Sequence, residues 1–396
     1  MNVLVINAGS SSLKYQLINM VDQQVLCKGQ VERIGIEGSF LKQKGGAEEA
    51  DIHAEIKNHN DAIQMVLEAL TDAKHGVVKS LEEIDAVGHR VLHGGEKFAD
   101  PVLVDEQVIH DLEAIVDLGP LHMPANISGI KACQQAMPVP QVAVFDTGFH
   151  QTMPPKAYLY GLPYEAYEKH KVRRYGFHGT SHLFVSQRAA ELRGTEKGRM
   201  ITCHLGNGSS LCAILDGKCM DTSMGLTPLE GVVMGTRSGD MDPAFVKFIM
   251  EKEHKTIEEM DHYLNKESGV YGLSGVSSDF RDLAKAAAEG HRRAILALDV
   301  FIYRIQKYIG AYAAALGGVD TLVFTAGIGE NDAKMRKDIL TGMEWLGIQL
   351  DDEANQRRGE HKISAPDSKV EVWVIPTNEE LVIARETVRL AKQAKA

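Results

Sequence analysis

The sequence has little of what marks several large classes of protein. Its five cysteines (Cys27, Cys133, Cys203, Cys212 and Cys219) form no CxxC pair, are odd in number and sit mostly among apolar neighbours. That pattern suits buried free thiols in a reducing compartment rather than a disulfide framework. No run of 18 uncharged apolar residues occurs. The most apolar helix-like region, from Ala294 to Val319, is interrupted by Asp299, Arg304 and Lys307, so no membrane span is expected. The opening MNVLVINAGSSS has no basic stretch before its apolar run and does not read as a signal peptide. Basic residues are in deficit, with 43 Lys and Arg against 54 Asp and Glu and a formal net charge of −11. A general nucleic-acid binder needs a basic surface and is disfavoured, whereas a small anionic substrate needs only a local gathering of cations. Neither the Walker A pattern GxxxxGK[ST] nor a complete GxGxxG occurs, which argues against a P-loop and against a dinucleotide site.

What is present is an ordinary globular composition, 44% apolar and 24% charged, in a chain of 396 residues. That length exceeds one core and predicts two domains. Val3–Ile6 reads as a buried strand that turns at Asn7-Ala8-Gly9-Ser10 and returns through Leu13–Ile18. A second copy lies 198 positions on. Ser11-Ser12-Leu13 falls on Ser209-Ser210-Leu211 and Leu17 on Leu215, half the chain length away, which points to an internal duplication. Ile84–Arg90, Val139–Phe145, Thr321–Thr325 and Val370–Ile375 read as further strands. The Pro-rich stretch at 151–155 marks a domain boundary. Thr377 and Glu380 have capping-box spacing and predict a helix with Leu381, Ala384, Val388 and Ala391 on its apolar face. Strands alternating with helices place the chain in the α/β class.

Three loops of small residues sit at strand ends: Asn7 to Lys14, His204 to Ser210, and Gly327 to Asn331 before a helix expected from Asp332. Small side chains let backbone N–H groups approach phosphate oxygens, and a lysine adds a point charge. Cations cluster beside glycine in Gly88-His89-Arg90-Val91-Leu92-His93-Gly94-Gly95 and in Met234-Gly235-Thr236-Arg237-Ser238-Gly239. A guanidinium grips a carboxylate bidentately, although a single arginine is more often a surface ion pair. Asp146 follows a strand, at the end where open α/β sheets keep their sites. His178 and His182 have HxxxH spacing, but Gly179 and the lack of HExxH make a zinc hydrolase a poor reading.

Ten collinear runs (NAGSSSLK, GHRVLHGGE, PLHMPAN, FDTGFH, YGFHGTSH, HLGNGSS, MGTRSGDMDP, SSDFRDL, GIGEN and IPTNEEL) resemble the acetate kinase family over nearly the whole chain. The resemblance implies two ribonuclease-H-like domains of the actin, hexokinase and heat-shock ATPase superfamily, with the active site in an interdomain cleft. It implies an N-terminal domain of residues 1–148 rejoined by 380–396, and a nucleotide-binding domain of 149–379. The implied reaction is reversible phosphoryl transfer between ATP and acetate, giving ADP and acetyl phosphate, with Mg²⁺ (or Mn²⁺) as cofactor, in a cytoplasmic homodimer. Nucleic acid and membrane are not among the implied partners.

Carried over by position, Asn7 and Glu379 organise the metal through water. Lys14 and His204, Leu205, Gly206, Asn207 and Gly208 hold the nucleotide phosphates, while Asp279, Phe280, Arg281, Gly327, Ile328, Gly329, Glu330 and Asn331 cradle the adenosine. Arg90 clamps the carboxylate. His178 and Arg237, with His122 nearby, stabilise the migrating phosphoryl group. Asp146 is the family's active-site carboxylate, although acetate is already ionised at neutral pH and offers a base no proton. Leu92, Leu121, Phe177 and Pro228 match the pocket for the methyl end. Leucine where the family often has valine at 92 leaves less room and favours acetate, by only ~1–3 kcal/mol per methylene. The alternatives are a propionate or butyrate kinase and, more remotely, a non-catalytic ATP-gated clamp.

Overall fold

The structure, a computed structural model, describes residues 1–394. The chain forms two compact units, one made of Met1–Gly148 with the stretch from Asn378 onward, the other of Phe149–Thr377. Among the described residues no helix is long and apolar enough to cross a membrane.

The first unit is built on an eight-stranded sheet. Its strands are β1 (Asn2–Ala8), β2 (Ser12–Asn19), β3 (Gln24–Glu32), β4 (Phe40–Lys44), β5 (Ala50–His53), β6 (Ala86–Val91), β7 (Val102–Leu103) and β8 (Gln141–Phe145). They lie in the order β5-β4-β3-β2-β1-β6-β8-β7. β1 pairs antiparallel with β2 and parallel with β6, which in turn runs parallel to β8. β1 is apolar at every position from Val3 to Ile6 because both faces of the sheet are covered. Leu4, Ile6 and Ala8 pack beneath the helices His59–Thr71 and Met123–Ala136, together with Ala62, Ile63, Val66 and Cys133. Val3 and Val5 pack on the opposite face against Ile383 and Ala384 of the helix Glu379–Ala394. The C-terminal helix approaches β6 so closely that a Cβ at Gly88 would lie 2.4 Å from Thr387 Oγ1, which is why only glycine fits there.

The second unit repeats the theme with β9 (Arg199–Leu205), β10 (Ser209–Leu215), β11 (Lys218–Thr222), β12 (Thr321–Thr325), β13 (His361–Lys362) and β14 (Glu371–Val374). The order is β11-β10-β9-β12-β14-β13. An antiparallel meander followed by two parallel strands is thus found twice, as β3-β2-β1-β6-β8 and as β11-β10-β9-β12-β14. The duplicated Ser-Ser-Leu runs open β2 and β10, equivalent strands of these two arrays. The long helix Arg292–Leu316 covers one face through Ala297, Phe301, Ile305 and Ile309. The helix Gly179–Arg193 covers the other through Val185 and Ala189.

Two local expectations change. Gly327 to Asn331 is no loop but part of a short helix, Ala326–Asn331, followed by a helix over Ala333–Leu340. Glu330 accepts the Ala326 N–H at 2.8 Å, and the buried Arg336 guanidinium donates to the Gly329 and Glu330 carbonyls at 2.9 and 3.0 Å. Both ends of a glycine-rich turn are therefore satisfied by side chains. The cap of the C-terminal helix is Asn378, whose Oδ1 accepts the Leu381 N–H at 3.1 Å, not Thr377. Thr377 instead donates its backbone N–H to Glu330.

Candidate active site

In each unit the parallel strands end at the same edge, and the singled-out residues gather there. On the first unit Asn7 lies near the end of β1 opposite Lys14 of β2. Arg90 is near the end of β6, and Asp146 follows β8 directly. Asp146 is wholly buried and takes Arg90 in a fork, Nε to Oδ1 at 2.9 Å and Nη2 to Oδ2 at 2.6 Å. This geometry uses two of the five guanidinium donors and leaves the Nη1 pair for an anion. Asp146, and further off Glu379 and Glu380, push the Arg90 pKa still higher, so it is a permanent cation. Asn126 ties the two strand ends together. Its Oδ1 accepts the Leu92 N–H at 2.9 Å and its Nδ2 donates to the Ala8 carbonyl at 2.6 Å. Asn126 ends the PLHMPAN run but gets no role from sequence, because its function lies in two backbone contacts far apart along the chain.

Asn7, Lys14 and Glu380 line one concavity of about 330 Å³ on this unit, together with Lys28, Lys42 and Lys44. Glu379 opens the C-terminal helix beside Glu380. An amide and carboxylates are hard oxygen donors that suit Mg²⁺ retaining its waters, so these residues fit that ion as outer partners. His122 precedes the helix Met123–Ala136 and is exposed, and its neighbour Leu121 is 58% exposed.

The second unit brings more together. His178 stands in left-handed backbone (φ 56°) at the start of its helix, a conformation uncommon for a non-glycine residue. Its ring stacks on His204 at 4.1 Å between centroids and its Nδ1 lies 2.9 Å from Ser210 Oγ. The same hydroxyl is 2.8 Å from His182 Nε2, and His182 Nδ1 is 2.7 Å from Thr202 Oγ1. His182 is held neutral, its pKa driven far down by burial and then by His150 and His204. His178 and His182 belong to no metal-ligand cluster among the described residues, and the HxxxH motif is a hydrogen-bonded relay instead.

His204 and Leu205 are not loop residues. Both end β9, and His204 is buried with its Nδ1 2.7 Å from Ser181 Oγ. The open turn is Gly206 to Gly208, closed by Ser209 Oγ donating to the Gly206 carbonyl. Gly235 donates its N–H to the Asn207 carbonyl, and a Cβ at Gly235 would strike Asn207 Oδ1, so the arginine loop is locked to this turn. As a result Arg237 Nη1 and His178 Nε2 both lie 3.5 Å from where a Cβ of Gly208 would be. Arg237 is half-buried, donates to the Pro228 carbonyl and the Met234 sulfur, and has no carboxylate partner among the described residues. Burial alone lowers its pKa. A desolvated cation without a counter-ion, beside a glycine turn and an imidazole, is a ready seat for an anion.

β12 pairs with β9 as far as Thr325 and His204, which sets the Gly206 turn beside the helix Ala326–Asn331. Between them opens a concavity of about 630 Å³ lined by Gly206, Asn207, Ser278, Asp279, Phe280, Arg281, Gly327, Ile328, Asn331 and Asp332. Three segments chosen from sequence as a nucleotide cradle thus share one wall, joined by Ser278 and Asp332. Gly329 and Glu330 are not on that wall, and Glu330 is spent on capping. Arg281 is folded back on Asp279, whose carboxylate is held down at about 2, first by the Arg281 side chain. Of the expected methyl pocket, Leu92 and Leu121 belong to the first unit and Phe177 and Pro228 to the second, where Phe177 is 1% exposed.

A duplicated α/β fold whose strand ends carry arginines, glycine turns and a nucleotide-sized concavity defines a phosphoryl-transferring enzyme, a kinase. The chain belongs to the Acetokinase family, which it matches over residues 2–385. It is 61% identical to the acetate kinase of Treponema denticola over 99% of this chain and 100% of the relative, and 60% identical to that of Thermoanaerobacter pseudethanolicus over both full lengths. Among solved structures it is similar to Porphyromonas gingivalis acetate kinase (TM-score 0.95, 50% identity, 98% of this chain and 99% of that one). It is also similar to a propionate kinase from Francisella tularensis (TM-score 0.92, 43% identity, the same coverage).

Proposed function

We propose that this protein is an acetate kinase, moving the terminal phosphoryl group of ATP reversibly onto the carboxylate of acetate. The observation that carries this reading is Arg237, a half-buried cation without a carboxylate partner among the described residues, aimed with His178 Nε2 at the Gly206–Gly208 turn. Phosphoryl transfer passes through a loose transition state, so positioning and charge stabilisation supply most of the catalysis. The concavity lined by Gly206, Asp279, Arg281 and Gly327 takes the nucleotide, with the backbone of the Gly206 turn and Lys14 at its phosphates. Asn7 and Glu379 would hold Mg²⁺ through its water shell, and the ion would supply charge neutralisation at those phosphates.

Arg90, fixed by Asp146, presents its remaining donors to the acetate carboxylate. Arg237 neutralises the phosphoryl oxygens in transfer. The relay supplies the second donor. Read from Thr202 O–H to His182 Nδ1, from His182 Nε2–H to Ser210 Oγ and from Ser210 O–H to His178 Nδ1, it leaves a neutral His178 with its proton on Nε2. The family resemblance assigns the methyl group to Leu92, Leu121, Phe177 and Pro228, and adds His122 to the groups for the migrating phosphoryl. A cytoplasmic homodimer is proposed with this reading, supported by the family resemblance and by five buried free thiols; sedimentation at working concentration tests the dimer.

The propionate kinase among the similar structures favours one second reading, a longer acid as substrate. Hydroxamate trapping with ATP and Mg²⁺ across acetate, propionate and butyrate separates the two. Acetate is expected to give the highest kcat/KM, and Leu92→Val to raise the propionate value by ~10-fold, at the low end of what a methylene is worth. A wild-type preference for propionate sinks the acetate assignment, and no acyl phosphate from any acid sinks both.

A further inference from the structure

All five cysteines are buried and free, and two of them form, with one histidine, a cluster that phosphoryl transfer does not use. Cys212 lies on β10 and Cys219 on β11. The pairing of these strands shifts register between Ala213 and Ile214, so that Ile214 stands opposite Cys219 rather than Met220. Side chains alternate between faces along a strand, so the shift turns Cys219 onto the face that Cys212 and Ile214 share, and a regular ladder would have turned it away. His150, in the helical turn Gly148–Thr152, reaches the same spot.

His150 Nδ1 lies 3.2 Å from Cys219 Sγ and 3.9 Å from Cys212 Sγ, and the two sulfurs are 3.5 Å apart. All three residues are fully buried. His150 Nε2 is 2.9 Å from the Phe177 carbonyl, which can only accept. The neutral ring therefore carries its proton on Nε2 and turns the Nδ1 lone pair toward the sulfurs. Two thiolates at ~2.3 Å and an imidazole at ~2.0 Å from one ion would stand about 3.5–4.0 Å from one another, within a few tenths of an ångström of the distances found. Among the described residues this is the one grouping of three His, Cys, Asp or Glu whose ligand atoms converge in this way.

We propose that His150, Cys212 and Cys219 form a buried site for a thiophilic d¹⁰ cation, Cu⁺ or Zn²⁺. Binding releases the two thiol protons to solvent, the sulfurs and Nδ1 each contribute a lone pair, and no electron is transferred. Two thiolates and an imidazole suit Cu⁺ as they stand, whereas Zn²⁺ adds a fourth ligand, for which the Asp221 carbonyl, 3.6 Å from Cys219 Sγ, is available. The cation would also fix His150, and through it the Phe177 carbonyl that precedes His178.

The test uses the full chain, stripped of metal and fully reduced, titrated without oxygen with Cd²⁺ as a spectroscopic member of the class, then with Zn²⁺ and Cu⁺ in competition. One equivalent of Cd²⁺ is expected, with an ultraviolet thiolate-to-metal band and a raised melting temperature. Affinity should fall about 100-fold or more in Cys212→Ser, in Cys219→Ser and in His150→Gln, and stay unchanged in Cys27→Ser and Cys133→Ser. Displacement of Cd²⁺ by Cu⁺ but not by Zn²⁺ identifies the three-coordinate form, and displacement by both identifies the four-coordinate one. If the Cys212→Ser/Cys219→Ser double variant, folded by circular dichroism, takes up Cd²⁺ as the wild type does, or if the reduced wild type takes up none, the site does not exist.

Discussion

Arg90 and Arg237 carry the same charge in opposite surroundings, and that difference assigns their work. Arg90 is held by a wholly buried carboxylate in a two-point fork, so its direction is fixed before any substrate arrives. Among the described residues Arg237 has carbonyl and sulfur contacts, which position it without neutralising it. Replacing Arg237 by alanine should lower kcat by ~10³-fold, the scale of an arginine that stabilises a phosphoryl group in transfer. Arg237→Lys should recover part of that loss, since a point charge replaces a planar fork. Asp146 is bound on both oxygens by a guanidinium, and acetate carries no proton for it to remove. Asp146→Asn should therefore misaim Arg90 and reduce kcat/KM for acetate by ~10²-fold, the usual cost of a displaced positioning group, without a new limb in the pH–rate profile. Recovery of the variant at alkaline pH would restore Asp146 to the role of general base.

At the level of the element, β6 holds a buried histidine one residue before Arg90. His89 Nε2 donates to Gln141 Oε1 at 2.7 Å, and burial lowers its pKa to about 4 against the partial compensation of that bond. In the unfolded chain it titrates near 6.5. Below that value the unfolded state binds a proton that the folded state refuses. Stability is thus complete above about pH 6.5, falls as the pH drops toward 4, and levels off below, by about 3 kcal/mol for this one group. Amide exchange in β1 and β6 checks it: the stability difference between wild type and His89→Gln should shrink by that amount from pH 7 to pH 4, and a constant difference refutes it.

Sequence served this scale unevenly, for physical reasons. Thr321–Thr325 forms the strand its apolar run implies, because a buried parallel strand needs little beyond that run. Gly327–Asn331 reads as a loop but folds as a helix, since Glu330 and Arg336 cap it. Those caps depend on tertiary placement that local glycine content hides. His204 sits in a loop motif yet supports the ring of His178 from within β9. Motif matching groups these residues, and only the fold separates their contacts.

Considered whole, the chain completes its first unit last. The sheet face formed by Val3, Val5, Ile18, Val142 and Val144 is covered by Ile383 and Ala384, more than 230 residues beyond Phe145. The second unit is continuous in sequence, from Phe149 to Thr377, with its own core around Phe301, Leu322 and Val372. Each large apolar side chain left uncovered costs ~1.5–3 kcal/mol, so uncovering these five forfeits roughly 8–15 kcal/mol. That is comparable to the whole stability of a domain, about 5–15 kcal/mol. Deleting residues 378–396 should therefore unfold or aggregate the first unit. The milder Ile383→Ala should cost ~2–5 kcal/mol and leave it folded. Exchange measured peptide by peptide decides the matter: protection should be lost from β1, β2, β6 and β8 of the deletion variant while Phe301, Leu322 and their neighbours keep theirs. Equal loss from both units would mean that the second core depends on the first, and full retention in β1 would mean that the helix adds little to the sheet it covers.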